Sequence, residues 1–308
     1  MLIDLIRLFL RPLSLPEPMR WPPPSDWPMR SFSRQVYCSP HRWHVQETGD
    51  GPTLLLLHGA GSSSHSFRHL VPLLEKNYHI VTVDLPGQGY TQLGTRNRCG
   101  LDAMAADVIS LAEQEHWKPK AIIGHSAGAV LGLRVSQLQH SVPAVIGINP
   151  ALDNFRGIAG LLFPITAKLL SLTPGVSYFF SRISNNPKRI RMLLESTGSK
   201  FDSVGLDYYR RLLADPSHVN GALLMMSQWP VDGLQLMWPE FTAKIFLIVG
   251  EKDGTVSPSV ARLAASKMPH AEFVSVPELG HLAHEEDANT IVSAIRRFLN
   301  ELPDNNLF

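Results

Sequence analysis

The chain has 308 residues, 44% hydrophobic and 18% charged, the make-up of a globular protein with one large α/β domain or two smaller ones. A formal net charge of +1 gives no electrostatic case for a nucleic-acid partner. Two cysteines, Cys38 and Cys99, cannot build a disulfide framework and fit a reducing, cytoplasmic setting, and no apolar stretch approaches the roughly 20 residues of a transmembrane helix.

Met1–Leu13 is an apolar run interrupted by Asp4 and Arg7, without the small-residue cleavage site of a secretory signal. It reads either as a short amphipathic helix lying on a membrane surface or a partner, or as one that docks on its own domain or frays. Pro16–Pro28, with six prolines and two tryptophans, predicts a stiff extended linker outside any core.

From Arg42 the pattern becomes regular. Arg42–Glu47 alternates and meets Thr48-Gly49-Asp50-Gly51-Pro52, a strand ending in a turn. Thr53–Leu57 is continuously apolar, as in a strand buried on both faces. A helix over Ser64–Leu74, a strand over His79–Val83 and an amphipathic helix over Leu101–Glu115 follow. Next come a strand over Lys120–Ile123, a helix over Ala127–Gln139 and a strand over Ala144–Ile148. After a long interruption the alternation resumes with Ala243–Val249 (strand), Pro258–Met268 (helix), Ala271–Val276 (strand) and Asn289–Leu299 (helix). Strands and helices alternating at this spacing predict a mostly parallel sheet with helices on both faces, and reactive residues on loops at the strands' carboxyl ends.

Gly124-His125-Ser126-Ala127-Gly128, between a strand and a helix, has the G-x-S-x-G form of a nucleophile elbow. A turn that tight leaves no room for side chains at Gly124 and Gly128, so Ser126 is the candidate nucleophile. The other parts are sought at strand ends. His58-Gly59-Ala60-Gly61 follows Thr53–Leu57, so the amides of Ala60 and Ala127 are the expected oxyanion hole; a plain turn is the alternative. Gly250-Glu251-Lys252-Asp253 follows Ala243–Val249 and offers Asp253 as the acid that orients an imidazole, with Glu251 and Asp153 as substitutes. Gly280-His281 follows Ala271–Val276 and makes His281 the expected general base. His284 forms an H-x-x-H pair with His281, but without a third ligand at suitable spacing no metal site is expected, and no cofactor either. His58 and His125 are expected to pack and bond locally.

The order Ser126, Asp253, His281 is that of the α/β-hydrolase fold, here with a helical cap inserted after the sixth strand. The expected division is an extension over 1–25, a core of 26–151 and 240–308, and a cap over 152–239. The interruption is too long for a loop. Its apolar clusters, with Phe163, Met225, Met226 and Trp229, suggest a pocket for a bulky apolar ligand, although each of these residues alone could equally pack the cap. A serine at the apex argues against the carboxylate-nucleophile chemistry of dehalogenases and epoxide hydrolases.

Several segments go beyond the general fold. Asp26-Trp27-Pro28, Arg42–Gln46, Leu54–Gly59, Asp84-Leu85-Pro86-Gly87-Gln88-Gly89, Asn149–Leu152, Gly157–Phe163, His218–Leu223 and Gly280–Glu285 resemble the bacteriochlorophyll-biosynthesis α/β-hydrolases, a family of magnesium-chelatase accessory proteins. The resemblance runs from about Asp26 to Leu299 and is most specific in the cap. Gln88 stands where the wider superfamily often has histidine, at a position that is not catalytic. The resemblance implies a setting near magnesium insertion into protoporphyrin, with a tetrapyrrole as candidate ligand and chelatase subunits as candidate partners. No G-x-x-x-x-G-K-[ST] loop is present, so ATP-driven insertion would belong to other subunits. Two functions remain: a serine hydrolase cleaving an ester or thioester, or a porphyrin-binding, chelatase-assisting module.

Overall fold

The computed structural model describes residues 19–153, 175–183 and 186–302. Its eight strands form one sheet: β1 (Ser33–Cys38), β2 (His41–Thr48), β3 (Thr53–Leu57), β4 (His79–Val83), β5 (Pro119–His125), β6 (Ala144–Ile148), β7 (Lys244–Gly250) and β8 (Ala271–Val276). The order is β1-β2-β4-β3-β5-β6-β7-β8; β1–β2 and β2–β4 pair antiparallel and every other neighbour is parallel.

Period-two alternation divides each central strand between two cores. In β3, Leu55 and Leu57 face one core while Leu54 and Leu56 face the other. The first core is closed by α2 (Leu101–Gln114), α3 (Ala127–Leu138) and α9 (Pro258–Lys267); the second by α1 (Val71–Leu74) and α11 (Ala288–Asn300). Each fully buried leucine or isoleucine contributes about 1.5–3 kcal/mol, so the four leucines of β3 anchor both layers. Between β6 and β7, the described residues form α4 (Val176–Ile183), α5 (Pro187–Glu195), α6 (Ser203–Ala214), α7 (Pro216–Ser227) and α8 (Asp232–Leu236). A short α10 (Ala283–Glu286) precedes α11.

Two expectations need correction, and one strand, β1, had no counterpart among them. β1 lacks a clear apolar alternation because it is an edge strand in which only Val36 and Cys38 are buried. The helix expected over Ser64–Leu74 splits into a 3₁₀ turn, Ser64–Phe67, and α1. Pro72 has no N–H to continue a helix from the preceding turn, so α1 starts beside it. Nor is the proline-rich stretch wholly outside the core. Trp27 is 2% exposed and packs edge-on to Tyr90 at 5.1 Å and to Tyr208 of α6 at 5.4 Å. It belongs to a third cluster with Ile190, Leu194, Tyr209, Leu212 and Leu282, which joins the strap to the helices between β6 and β7. Proline spacing reports stiffness, and a stiff strap can still deliver one large side chain into a socket. Met1–Leu13 lies outside the described residues, among which no helix is long and apolar enough to cross a membrane.

Replacing Trp27 with alanine is expected to cost about 3–5 kcal/mol of folding stability. Urea denaturation checks this; a loss under about 1 kcal/mol would return the strap to the status of a linker.

Candidate active site

The turn after β5 is as tight as its glycines imply. Ser126 has φ 52° and ψ −115°, outside the regions open to most L-residues, and it is the N-cap of α3. Three backbone bonds hold it there. Its N–H donates to the Ile148 carbonyl at 3.0 Å, and its own carbonyl accepts from Ala129 and Ala151, both at 3.2 Å. A Cβ on Gly124 would sit 2.4 Å from the backbone of Ala129, and one on Gly128 only 2.1 Å from the Leu57 carbonyl oxygen. Both positions therefore exclude any side chain.

Asp253 follows β7 and His281 follows β8. The His281 Nδ1–H donates to Asp253 Oδ2 at 2.8 Å, leaving Nε2 as the ring's other nitrogen. Asp253 is well provided with donors: Oδ1 accepts from the Thr255 and Val256 amides, both at 2.8 Å, and Oδ2 also accepts from Asn149 Nδ2 at 2.8 Å. Burial pushes its pKa up, but the His281 hydrogen bond and charge, the Val256 amide and Asn149 outweigh it and hold it below the usual carboxylate value. Of the substitutes, Glu251 is exposed and accepts from Ser275, and Asp153 accepts from Gln235. It is Asp253 that bonds His281 Nδ1.

The loop after β3 is held by its own histidine. His58 Nδ1–H donates to the Gly59 carbonyl at 2.8 Å while Nε2 accepts from the Leu85 amide at 2.9 Å, the neutral tautomer that burial also favours. Among the described residues no acceptor is bonded to the amides of Ala60 or Ala127. His125 donates from Nε2 to the His281 carbonyl at 3.0 Å, and burial, with His281 nearby, lowers its pKa to about 3. His284 packs against His125 with ring centroids 4.4 Å apart and the rings tilted by 43°; His281 lies against the same ring at 4.9 Å, and of the H-x-x-H pair it is His281 that bonds Asp253.

The remaining candidates scatter. Met225 is 1% exposed and packs in the core on the α2–α3 side. Met226 and Trp229 are half-buried, and the buried Trp229 indole N–H has no partner among the described residues. Phe163 lies outside the described residues.

Four residues that border this site had no role there in the sequence reading, which noted Gln88 only as a non-catalytic departure from the superfamily pattern. Asn149, in the left-handed region at φ 45°, bonds Asp253. The Thr197 carbonyl accepts from Gly254 at 2.9 Å and from His281 at 3.2 Å, tying the loops after β7 and β8 together. Gln88 and His218 bond Gly61. An asparagine directly after β6 was a readable signal for the first; the others depend on contacts between distant segments.

Eight strands in this order, with the serine turn after the fifth, are the architecture of the α/β hydrolases, and the family model described as alpha/beta hydrolase fold matches residues 52–288. The chain belongs to that family. Within it, the chain is 41% identical over 278 residues to the magnesium-chelatase 30 kDa subunit of Rhodobacter capsulatus, covering 90% of this chain and 97% of that protein. It is 24% identical to the pimeloyl-[acyl-carrier protein] methyl ester esterase of Xanthomonas oryzae pv. oryzae over 265 residues, 84% of this chain and all of the esterase. Solved structures share the fold at low identity. The epoxide hydrolase CorEH aligns with TM-score 0.73 at 19% identity, covering 88% of this chain and 99% of its own. A thermophilic esterase from Thermogutta terrifontis aligns with TM-score 0.69 at 20% identity, covering 87% and 98%.

The buried histidines set the acid sensitivity of the fold. Burial lowers His125 to about 3 and His218 to about 4, so both are neutral when folded, whereas an unfolded histidine takes up a proton below about pH 6.5. Their stabilising contribution is therefore complete above that pH and falls as pH drops toward their folded values. Urea midpoints are expected to hold between about pH 7 and 9 and to decline steadily below about 6.5. A flat profile down to about pH 5 would contradict neutral burial.

Proposed function

We propose that the chain is a serine hydrolase that cleaves an ester or thioester of a bulky apolar substrate, with Ser126 as nucleophile, His281 as base and Asp253 as the acid that orients it. The observation that carries this reading is the 2.8 Å bond from His281 Nδ1 to Asp253 Oδ2, on loops at the same sheet edge as the Ser126 turn. Asp253 holds the ring in the tautomer whose Nε2 accepts a proton, and stabilises the imidazolium once it forms. As the Ser126 hydroxyl attacks a carbonyl, its proton passes to His281 Nε2, and His281 returns it to the departing alcohol or thiol. Water then releases the acyl group by the reverse path. The oxyanion would lie on the Ala60 and Ala127 amides, which have no acceptor among the described residues, and each such donor lowers the barrier by about 3 kcal/mol. No cofactor is needed.

In this reading residues 152–239 form a cap, with 26–151 and 240–308 as the core and 1–25 as an extension. The half-buried Met226 and Trp229 would line the substrate pocket, with Met225 packed in the core behind them. The relative named as a magnesium-chelatase subunit supports a setting in bacteriochlorophyll synthesis near magnesium insertion and contact with chelatase subunits. A tetrapyrrole ester as substrate and a cytoplasmic location complete the proposal. That same name favours a second reading, a tetrapyrrole-binding or chelatase-assisting module in which hydrolysis plays no part.

A fluorophosphonate probe is expected to label the folded protein at Ser126, and Ser126→Ala to abolish labelling and lower kcat by about 10⁴- to 10⁶-fold on any ester it turns over. In the host, a Ser126→Ala strain is expected to accumulate a pigment intermediate. Absent labelling, or unchanged pigment synthesis in that strain, would favour the binding module.

A further inference from the structure

Gln88 and His218, one in the loop after β4 and the other on α7, meet at the loop that carries Ala60. That loop is held at each peptide around the amide. The Gly59 carbonyl accepts from His58 Nδ1 at 2.8 Å and from the Ser62 amide at 3.1 Å. A trans peptide points its C=O and N–H in opposite directions, so anchoring Gly59 on one side aims the Ala60 N–H to the other. At the next residue both groups are bonded. The Gly61 N–H donates to Gln88 Oε1 at 2.7 Å, and the Gly61 carbonyl accepts from His218 Nε2 at 3.2 Å.

His58 and Gln88 come from loops of the sheet, but His218 comes from the helices between β6 and β7. Its other nitrogen, Nδ1, accepts from the Gly89 amide at 3.0 Å, so one ring spans two loops. Gln88 reaches back the other way, donating from Nε2 to Met225 Sδ at 3.2 Å on the same helix. α7 lies directly on the loop after β4, since a Cβ on Gly221 would fall 2.1 Å from the Gly87 carbonyl oxygen. An acceptor at Nδ1 and a donor at Nε2 require a neutral ring, and burial, which holds His218 at about 4, keeps it so at neutral pH.

We propose that His218, with Gln88, is a positioning residue for the oxyanion hole, so that docking of α7 on the core sets the aim of the Ala60 amide. The inserted helices are then part of the catalytic geometry as well as a cover for the substrate. The proposal rests on the hydrolase reading of Ser126, and its test separates the two.

His218→Phe in the full chain keeps a ring of similar size and removes both hydrogen bonds. With p-nitrophenyl butyrate as probe, kcat is expected to fall about 10- to 100-fold with KM within about 2-fold of the parent, less than the loss of a donor outright because the Ala127 amide is untouched. Fluorophosphonate labelling of Ser126 slows in proportion. Gln88→Leu falls in the same direction, and His218→Asn, with one acceptor and one donor on a shorter arm, recovers part of the loss. Hydrogen exchange at the Gly61 and Gly89 amides is expected to quicken about 10-fold in His218→Phe, a readout that does not depend on turnover. Parental kcat in His218→Phe, even with a lowered Tm, overturns the proposal by leaving His218 a merely structural role. If the parent protein itself is unreactive, the hydrolase reading fails, and unchanged exchange at Gly61 then overturns the positioning role as well.

Discussion

Everything at the sheet's carboxyl edge depends on how closely α3 packs on the end of β3. Gly128 lies against the Leu57 and His58 carbonyl oxygens, where a Cβ would come within 2.1 and 2.5 Å. That approach brings the first turn of α3, with the Ala127 amide, beside the loop that carries Ala60. It also forces the chain through the strained Ser126 conformation, because no relaxed turn reverses direction in so little space. A side chain at either elbow glycine would move apart every group the proposed mechanism uses.

The helices between β6 and β7 reach this edge through polar contacts more than through bulk. Thr197 bonds the two loops that hold Asp253 and His281, and His218 bonds the loop after β3. Tyr209 of α6 donates to Glu285 Oε1 at 2.6 Å, and Glu285 also pairs with Arg68. Burial raises the Glu285 pKa, against the pull of the arginine and the tyrosine hydroxyl. A buried polar group that loses its partner costs about 1–3 kcal/mol, so these bonds fix where the helices can sit far more sharply than apolar packing would. Apolar contacts are made at two places: Trp27 of the strap clusters with α5 and α6, and Met225 and Leu234 are buried in the first core.

The family relationship and the geometry constrain different things. Belonging to the α/β hydrolases accounts for the sheet order and for a serine turn after β5. The relative named as a magnesium-chelatase subunit bears on the setting in which such a fold works, and the carboxylate and backbone donors around Asp253 bear on what it can do. These are independent lines, one bearing on setting and the other on chemistry.

Much of this edge could be read from local pattern. The Thr53–Leu57 and Ala144–Ile148 runs, the elbow glycines, and the strand-end positions of Asp253 and His281 all follow from rules that involve only near neighbours in the chain. The edge strand β1 was illegible because its first half, Ser33-Arg34-Gln35, is wholly polar and only Val36 and Cys38 are buried, and the break before Pro72 was lost inside an apolar run. Only the tertiary structure could bond His281 to Asp253, seat Trp27 in a socket, bury Met225, and connect Gln88 and His218 to Gly61. The physical reason is the same in each case. Hydrophobic periodicity and turn stereochemistry are properties of short segments, whereas a hydrogen bond between residues 61 and 218 exists only once folding has brought two distant surfaces within 3.2 Å.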